Sequence, residues 1–156
     1  LRRLRWRSGL EWLWLQLRRS PVLYFEFFNL GFLRAIEQEV KFDIGDKAEE
    51  LYFNVFDLTT NREHYPTKFR RLADQLQKYA LGIHSDVMDA NSFRTDTASQ
   101  RNKRFDFQTS AITKCNKFLS LTKYSLHAHL ISAATGETWT NLAHDVKFMT
   151  LAWRKS

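Results

Sequence analysis

Cysteine is nearly absent from this chain. The single Cys115 excludes an internal disulfide and any metal site built from paired cysteines. The five glycines stand apart at positions 9, 31, 45, 82 and 136, so no glycine-rich phosphate loop can form. There is no G-x-S-x-G, no H-E-x-x-H and no EF-hand pattern, which removes the usual sequence signs of hydrolase, zinc-protease and calcium chemistry. No apolar run reaches the roughly 20 residues that cross a bilayer as a helix. There is no clear hairpin and no internal repeat. The function class these absences leave is non-enzymatic, with no cofactor and no small-molecule substrate expected.

What the chain has in excess is aromatic surface. Of its 156 residues 15% are aromatic, with thirteen Phe and five Trp. They concentrate in Leu10 to Ile36, which reads LEWLWLQL, RRSP, then VLYFEFFNLGFLRAI. Arg18 and Arg19 interrupt this stretch; mid-membrane they would cost about 2.5–3.5 kcal/mol each. Ser20 and Pro21 then suit the N-cap and first position of a new helix. Two short helices are expected here, not one span. Trp6, Trp12, Trp14, Phe25, Phe28 and Phe32 form the expected membrane or partner interface. Arg2, Arg5, Arg18 and Arg19 are the expected contacts to anionic lipid or phosphate. Glu26, the one charge inside the aromatic run, either pairs with a cation or marks the helix's exposed edge.

Charge is distributed in blocks. Residues 1–19 hold six Arg and one Glu, a net of +5. Residues 20–66 hold four basic and nine acidic groups, a net of −5, and residues 67–156 hold fourteen and seven, a net of +7. Such alternation fits contact with more than one kind of surface. The Arg-rich, acid-poor start has the flavour of an organellar targeting segment and is read as retained.

Periodicity gives an all-α expectation: an irregular bundle of five or six helices with an aromatic-rich, amphipathic N-terminal extension. Residues 1–42 form the extension and 43–156 the helical domain. Gly45-Asp46 reads as a break before a helix over 47–58 carrying Leu51, Tyr52, Val55 and Leu58. Phe69, Leu72, Ala73, Leu76, Ala80 and Ile83 mark the cleanest amphipathic helix, ending near Gly82. Residues 85–109 read as a long polar loop, because apolar positions are few. A helix over 110–134 follows, with Cys115 on its apolar stripe as a buried thiol and Gly136 as its stop. A last helix starts at Thr138 or Thr140.

Among candidate sites, His127 and His129 would sit about 200° apart on a helix, unable to share a metal. His64, His84 and His144 are isolated. Arg94, Arg101, Lys103 and Arg104, with Phe105 and Phe107 beside them, have the composition of an RNA contact: cations for phosphate, rings for stacking. Two functional expectations follow. The first is a structural accessory subunit of a large membrane-associated assembly. Its most concrete form is a respiratory-chain or ATP synthase complex of the mitochondrial inner membrane, with partner subunits and anionic lipid as contacts. The alternative is an organellar ribosomal protein that binds rRNA through its basic start and its basic loop.

Overall fold

The computed structural model describes the backbone of residues 33–156 and the side chains of residues 43–156. The described part is all-helical and contains four α-helices: α1 (Leu33–Thr60), α2 (Arg70–Ser92), α3 (Ala98–His127) and α4 (Ala133–Lys155). A 3₁₀ turn, Thr67–Phe69, leads into α2. Lys41–Ser156 forms one compact unit. The expected short helix at Leu10–Leu17 and most of the one expected at Val22–Val40 lie outside the described residues. So do Arg2, Arg5, Trp6, Trp12, Trp14, Arg18, Arg19, Phe25, Phe28 and Phe32.

Several expected boundaries are corrected. Helix α1 runs straight through Gly45. This glycine serves close packing: a Cβ placed on it would lie 3.2 Å from Met88 Sδ of α2. The polar loop expected at 85–109 shrinks to the link 93–97, because α2 continues to Ser92 and α3 begins at Ala98. Val87 and Ala90 extend the buried face of α2, and the carboxylate of Asp86 lies on that same face. Thr97 caps α3, its Oγ1 accepting from the Gln100 amide at 3.3 Å.

Helix α3 does not reach Gly136. It ends at His127, and His129 takes the left-handed conformation at φ 56° that glycine usually fills. The Leu130 amide then donates to the Ser125 carbonyl at 3.0 Å and the His129 amide to the Leu126 carbonyl at 3.1 Å. This is the paired closure of a Schellman motif, with Leu130 buried behind it. Helix α4 starts early, capped by Ser132, whose Oγ accepts from the Thr135 amide at 3.1 Å. Gly136 lies in its first turns as a packing residue. A Cβ there would come within 2.6 Å of Leu126.

The helices pack antiparallel in sequence order. α1 meets α2 where Gln77 Nε2 donates to Thr59 Oγ1 at 2.8 Å, and meets α4 where Lys47 pairs with Asp145 at 3.1 Å. α2 meets α3 through Lys114 and Asp86 at 2.7 Å. α3 meets α4 at the Phe118–Trp139 ring contact. α1 and α3 therefore occupy opposite corners. The core contains Ile44, Leu51, Val55, Leu76, Ile83, Phe118, Trp139 and Val146, all buried. Burial of this apolar set at roughly 25 cal/mol per Å² is what holds the bundle. Cys115 sits fully inside it, and burial pushes its thiol up to about 12.

Candidate nucleic-acid interface

Antiparallel packing gathers cations at one end of the bundle. The link 93–97, the first turns of α3 and the last turn of α4 meet there. Thr97 and the cap it makes set the start of α3, so Arg101, Lys103 and Arg104 fall on its first two turns. Arg154 and Lys155 end α4, where cations also favour the helix dipole. With Arg94 this makes six cations against Asp96 and Asp106.

Aromatic rings lie under three of these cations. Phe93 and Phe107 stack at 5.6 Å, and Lys103 Nζ lies 5.9 Å from the Phe93 ring centre. The Arg104 guanidinium lies 4.6 Å over buried Trp153. Arg154 lies 4.9 Å over Phe105 and donates to Thr109 Oγ1 at 3.2 Å. Arg101 donates to the Thr95 carbonyl at 2.9 Å. A guanidinium over a ring keeps its charge and most of its donors available. Among the described residues, Arg94, Arg101, Lys103, Arg154 and Lys155 have no carboxylate partner. Phe105 is 49% exposed beside them.

The sequence named Arg94, Arg101, Lys103 and Arg104, and the structure brings these four to one end. It missed Arg154, Lys155, Phe93 and Trp153. For Arg154, Lys155 and Trp153 no local signal joins positions 45 or more residues apart, and the pairing of α3 with α4 does; Phe93 stands beside Arg94 and joins the group by stacking on Phe107. Further along α3, Lys117 Nζ lies 5.7 Å from the Tyr79 ring. Lys123 is exposed one and a half turns on. Cations from 101 to 123 thus spread over roughly 33 Å of helix.

Other candidates stay apart. His129 lies beyond the end of α3, so it and His127 no longer share a helix. Among the described residues, no group of three His, Cys, Asp or Glu side chains could hold a metal ion. A cleft of about 300 Å³ lies at the other end of the bundle, lined by Asn54, Asp57, Leu58, Asn61, His64, Thr135 and Trp139. Its two ionisable groups, Asp57 and His64, are both exposed. No helix among the described residues is long and apolar enough to cross a membrane.

No protein-family model matches the chain, and no curated protein matches it. Among solved structures it is similar to a protein of unknown function from the S23 ribosomal protein family of Bacteroides thetaiotaomicron. The two share 12% identity at a TM-score of 0.65, over 75% of this chain and 99% of the other. At that identity the likeness shows a common helical fold, and the bundle described above is a fold that also stands as a whole chain elsewhere.

Proposed function

We propose that this chain is a non-enzymatic RNA-binding module that grips phosphate backbone with the cationic end of its bundle. The observation that carries the reading is the gathering at one end of Arg94, Arg101, Lys103, Arg154 and Lys155, without carboxylate partners among the described residues, with Lys103 and Arg154 set over aromatic rings. Phosphate contacts by Arg and Lys supply sequence-independent affinity through counterion release. Exposed Phe105 offers a ring to an unstacked base. The structural neighbour's ribosomal family name agrees with this direction and supplies no residue. An organellar ribosome is one assembly in which such a module would work.

The test is a salt titration of full-chain binding to a short structured RNA. Four to six phosphate contacts give log K against log salt a slope of roughly −3 to −5. Changing Arg101, Lys103 and Arg154 to Ala lowers the slope by about 1 for each residue removed. A wild-type slope near zero, or a triple variant that binds like wild type, contradicts the reading.

A second reading rests on Leu10 to Ile36, whose broken aromatic run and flanking arginines favour docking at a membrane-bound assembly. A mitochondrial inner-membrane complex, respiratory or ATP synthase, is its concrete form. Extraction separates the two. Release from membranes at moderate salt with co-sedimentation on RNA favours the first. A requirement for detergent and co-purification with a membrane complex favours the second.

A further inference from the structure

The RNA reading leaves the acidic middle of the chain without a role. Residues 43–60 of α1 carry Asp43, Asp46, Glu49, Glu50 and Asp57 against one lysine, a net of −4. That lysine, Lys47, is turned to α4 and bound to Asp145. The other side of α1 faces α2, and the seam between them is apolar on its outside. Phe53 is 53% exposed, Phe56 41%, Leu81 48% and Met88 40%.

These four side chains form one strip. The Thr59–Gln77 hydrogen bond and the approach of Gly45 to Met88 fix the antiparallel register of α1 and α2. In that register position 53 is level with position 81. Tyr52 lies 5.6 Å from Phe53 and 5.8 Å from Phe56, ring centre to ring centre, which joins the α1 aromatics into a cluster. Exposed Asp46, Glu49 and Asp57 line the α1 rim, and exposed Asp89 follows Met88 on α2. Of the cations near this seam on α2, Arg70 is held by Asp74 at 3.2 Å and by the Thr59 carbonyl, leaving Lys78. A strip of aromatic and aliphatic side chains with an acidic rim fits a segment that alternates large apolar residues with arginine.

We propose that this seam is a self-assembly surface and that it takes the arginine-rich start of a second copy of this chain. Residues 1–7 read LRRLRWR, and residues 1–19 carry a net of +5. Leu1, Leu4 and Trp6 supply apolar side chains; Arg2, Arg3, Arg5 and Arg7 supply charge for Asp46, Glu49 and Asp57. A segment of that composition carries too little apolar surface for a core of its own. Charge and apolar character are matched between two parts that every copy carries in equal number. Among the described residues nothing covers the seam. Reciprocal exchange closes a pair of copies, and one-way docking leaves an open chain of them.

The test uses the full chain, freed of RNA by nuclease, in analytical ultracentrifugation. Wild type associates in low salt, and raising salt to about 0.5 M weakens association at least tenfold. Two charge-reversed chains are then made. One carries Arg2→Glu, Arg3→Glu and Arg5→Glu; the other carries Asp46→Lys, Glu49→Lys and Asp57→Lys. Each alone is monomeric, since start and seam now repel. Mixed together they form a complex, because each seam again faces a start of opposite charge. Phe53→Ser with Leu81→Ser in the wild-type background weakens association by roughly tenfold. Circular dichroism confirms unchanged helix for these surface substitutions. A monomeric wild type overturns the proposal. So does a mixture that stays monomeric, or either reversed chain associating like wild type.

Discussion

Helices α1 and α3 stand at opposite corners of one bundle and are built on opposite plans. α1 buries Ile44, Ala48, Leu51 and Val55, an apolar line with the single polar residue Thr59 at its end, and turns carboxylates and aromatic rings outward. α3 buries Gln108, Thr122 and Ser125 among Ala111, Cys115 and Phe118, and turns lysines and arginines outward. The lesson is that a helix can be polar on its inner face and still be core. α3 manages this because its buried hydroxyls have partners. Thr122 Oγ1 donates to the Phe118 carbonyl at 3.0 Å, and the Tyr65 hydroxyl donates to Ser125 Oγ at 3.0 Å. A satisfied polar group in the interior costs little; an orphaned one costs about 1–3 kcal/mol. The two outer faces teach the complementary point. Opposite charge on opposite corners gives one small bundle two chemically different surfaces.

Truncating the core tests whether the two corners are equally deep. Phe118→Ala in α3 is expected to lower stability by about 3–5 kcal/mol, and Leu51→Ala in α1 by about 2–5 kcal/mol, measured by urea unfolding. A much smaller loss at Phe118 would mean that the polar inner face of α3 is loosely packed. Next comes the ion pair that anchors α3 to α2. Lys114→Met leaves Asp86, with its side chain 8% exposed, without its cation, and is expected to cost about 2–3 kcal/mol.

Alkaline titration reads the α3 interior directly. The folded protein holds the Cys115 proton to about 12, against an ordinary value of 9.0. The unfolded chain releases it from about pH 9, so the folded state binds more protons between these values. Stability is therefore flat below about pH 9 and falls above it, by up to about 1.4 kcal/mol per pH unit. Burial raises Tyr65 in the same direction, and its contribution begins above its ordinary 10.0. Cys115→Ala is expected to remove the slope between pH 9 and 10 while Tyr65 keeps the slope above it. The smallest effect is at the α1–α4 pair. Lys47 and Asp145 have side chains 31% and 53% exposed, and Lys47→Met is expected to change stability by less than about 1 kcal/mol.

The same contrast explains what was legible in the sequence. The stripe Ala73, Leu76, Ala80 and Ile83 announces α2 because every member is apolar, and all four are fully buried. Leu51, Val55 and the buried thiol of Cys115 are legible for the same reason. The continuation of α2 past Gly82 and the first twelve residues of α3 are not. Their inward positions include the polar Asp86 and Gln108, and the partner of Asp86, Lys114, comes from another helix. Gly45 and Gly136 read as breaks because glycine is rare inside helices; here each removes a Cβ from a close helix crossing. His129 is the reverse case, a residue in the left-handed position where glycine is expected. Of the candidate interface, the half on α3 is visible as a local run of cations. The half on α4 becomes visible only when antiparallel packing sets Arg154 over Phe105.

The two corners are chemically distinct surfaces, and in the function proposed here only the cationic one holds RNA. The direct measurement compares RNA affinity of three full chains across salt: wild type, the Arg101→Ala, Lys103→Ala, Arg154→Ala variant, and the Asp46→Lys, Glu49→Lys, Asp57→Lys variant. The triple-alanine chain is expected to show about 3 units less salt slope, and the acidic-corner variant to keep the wild-type slope or steepen it. Equal binding by wild type and the triple-alanine chain would contradict that function.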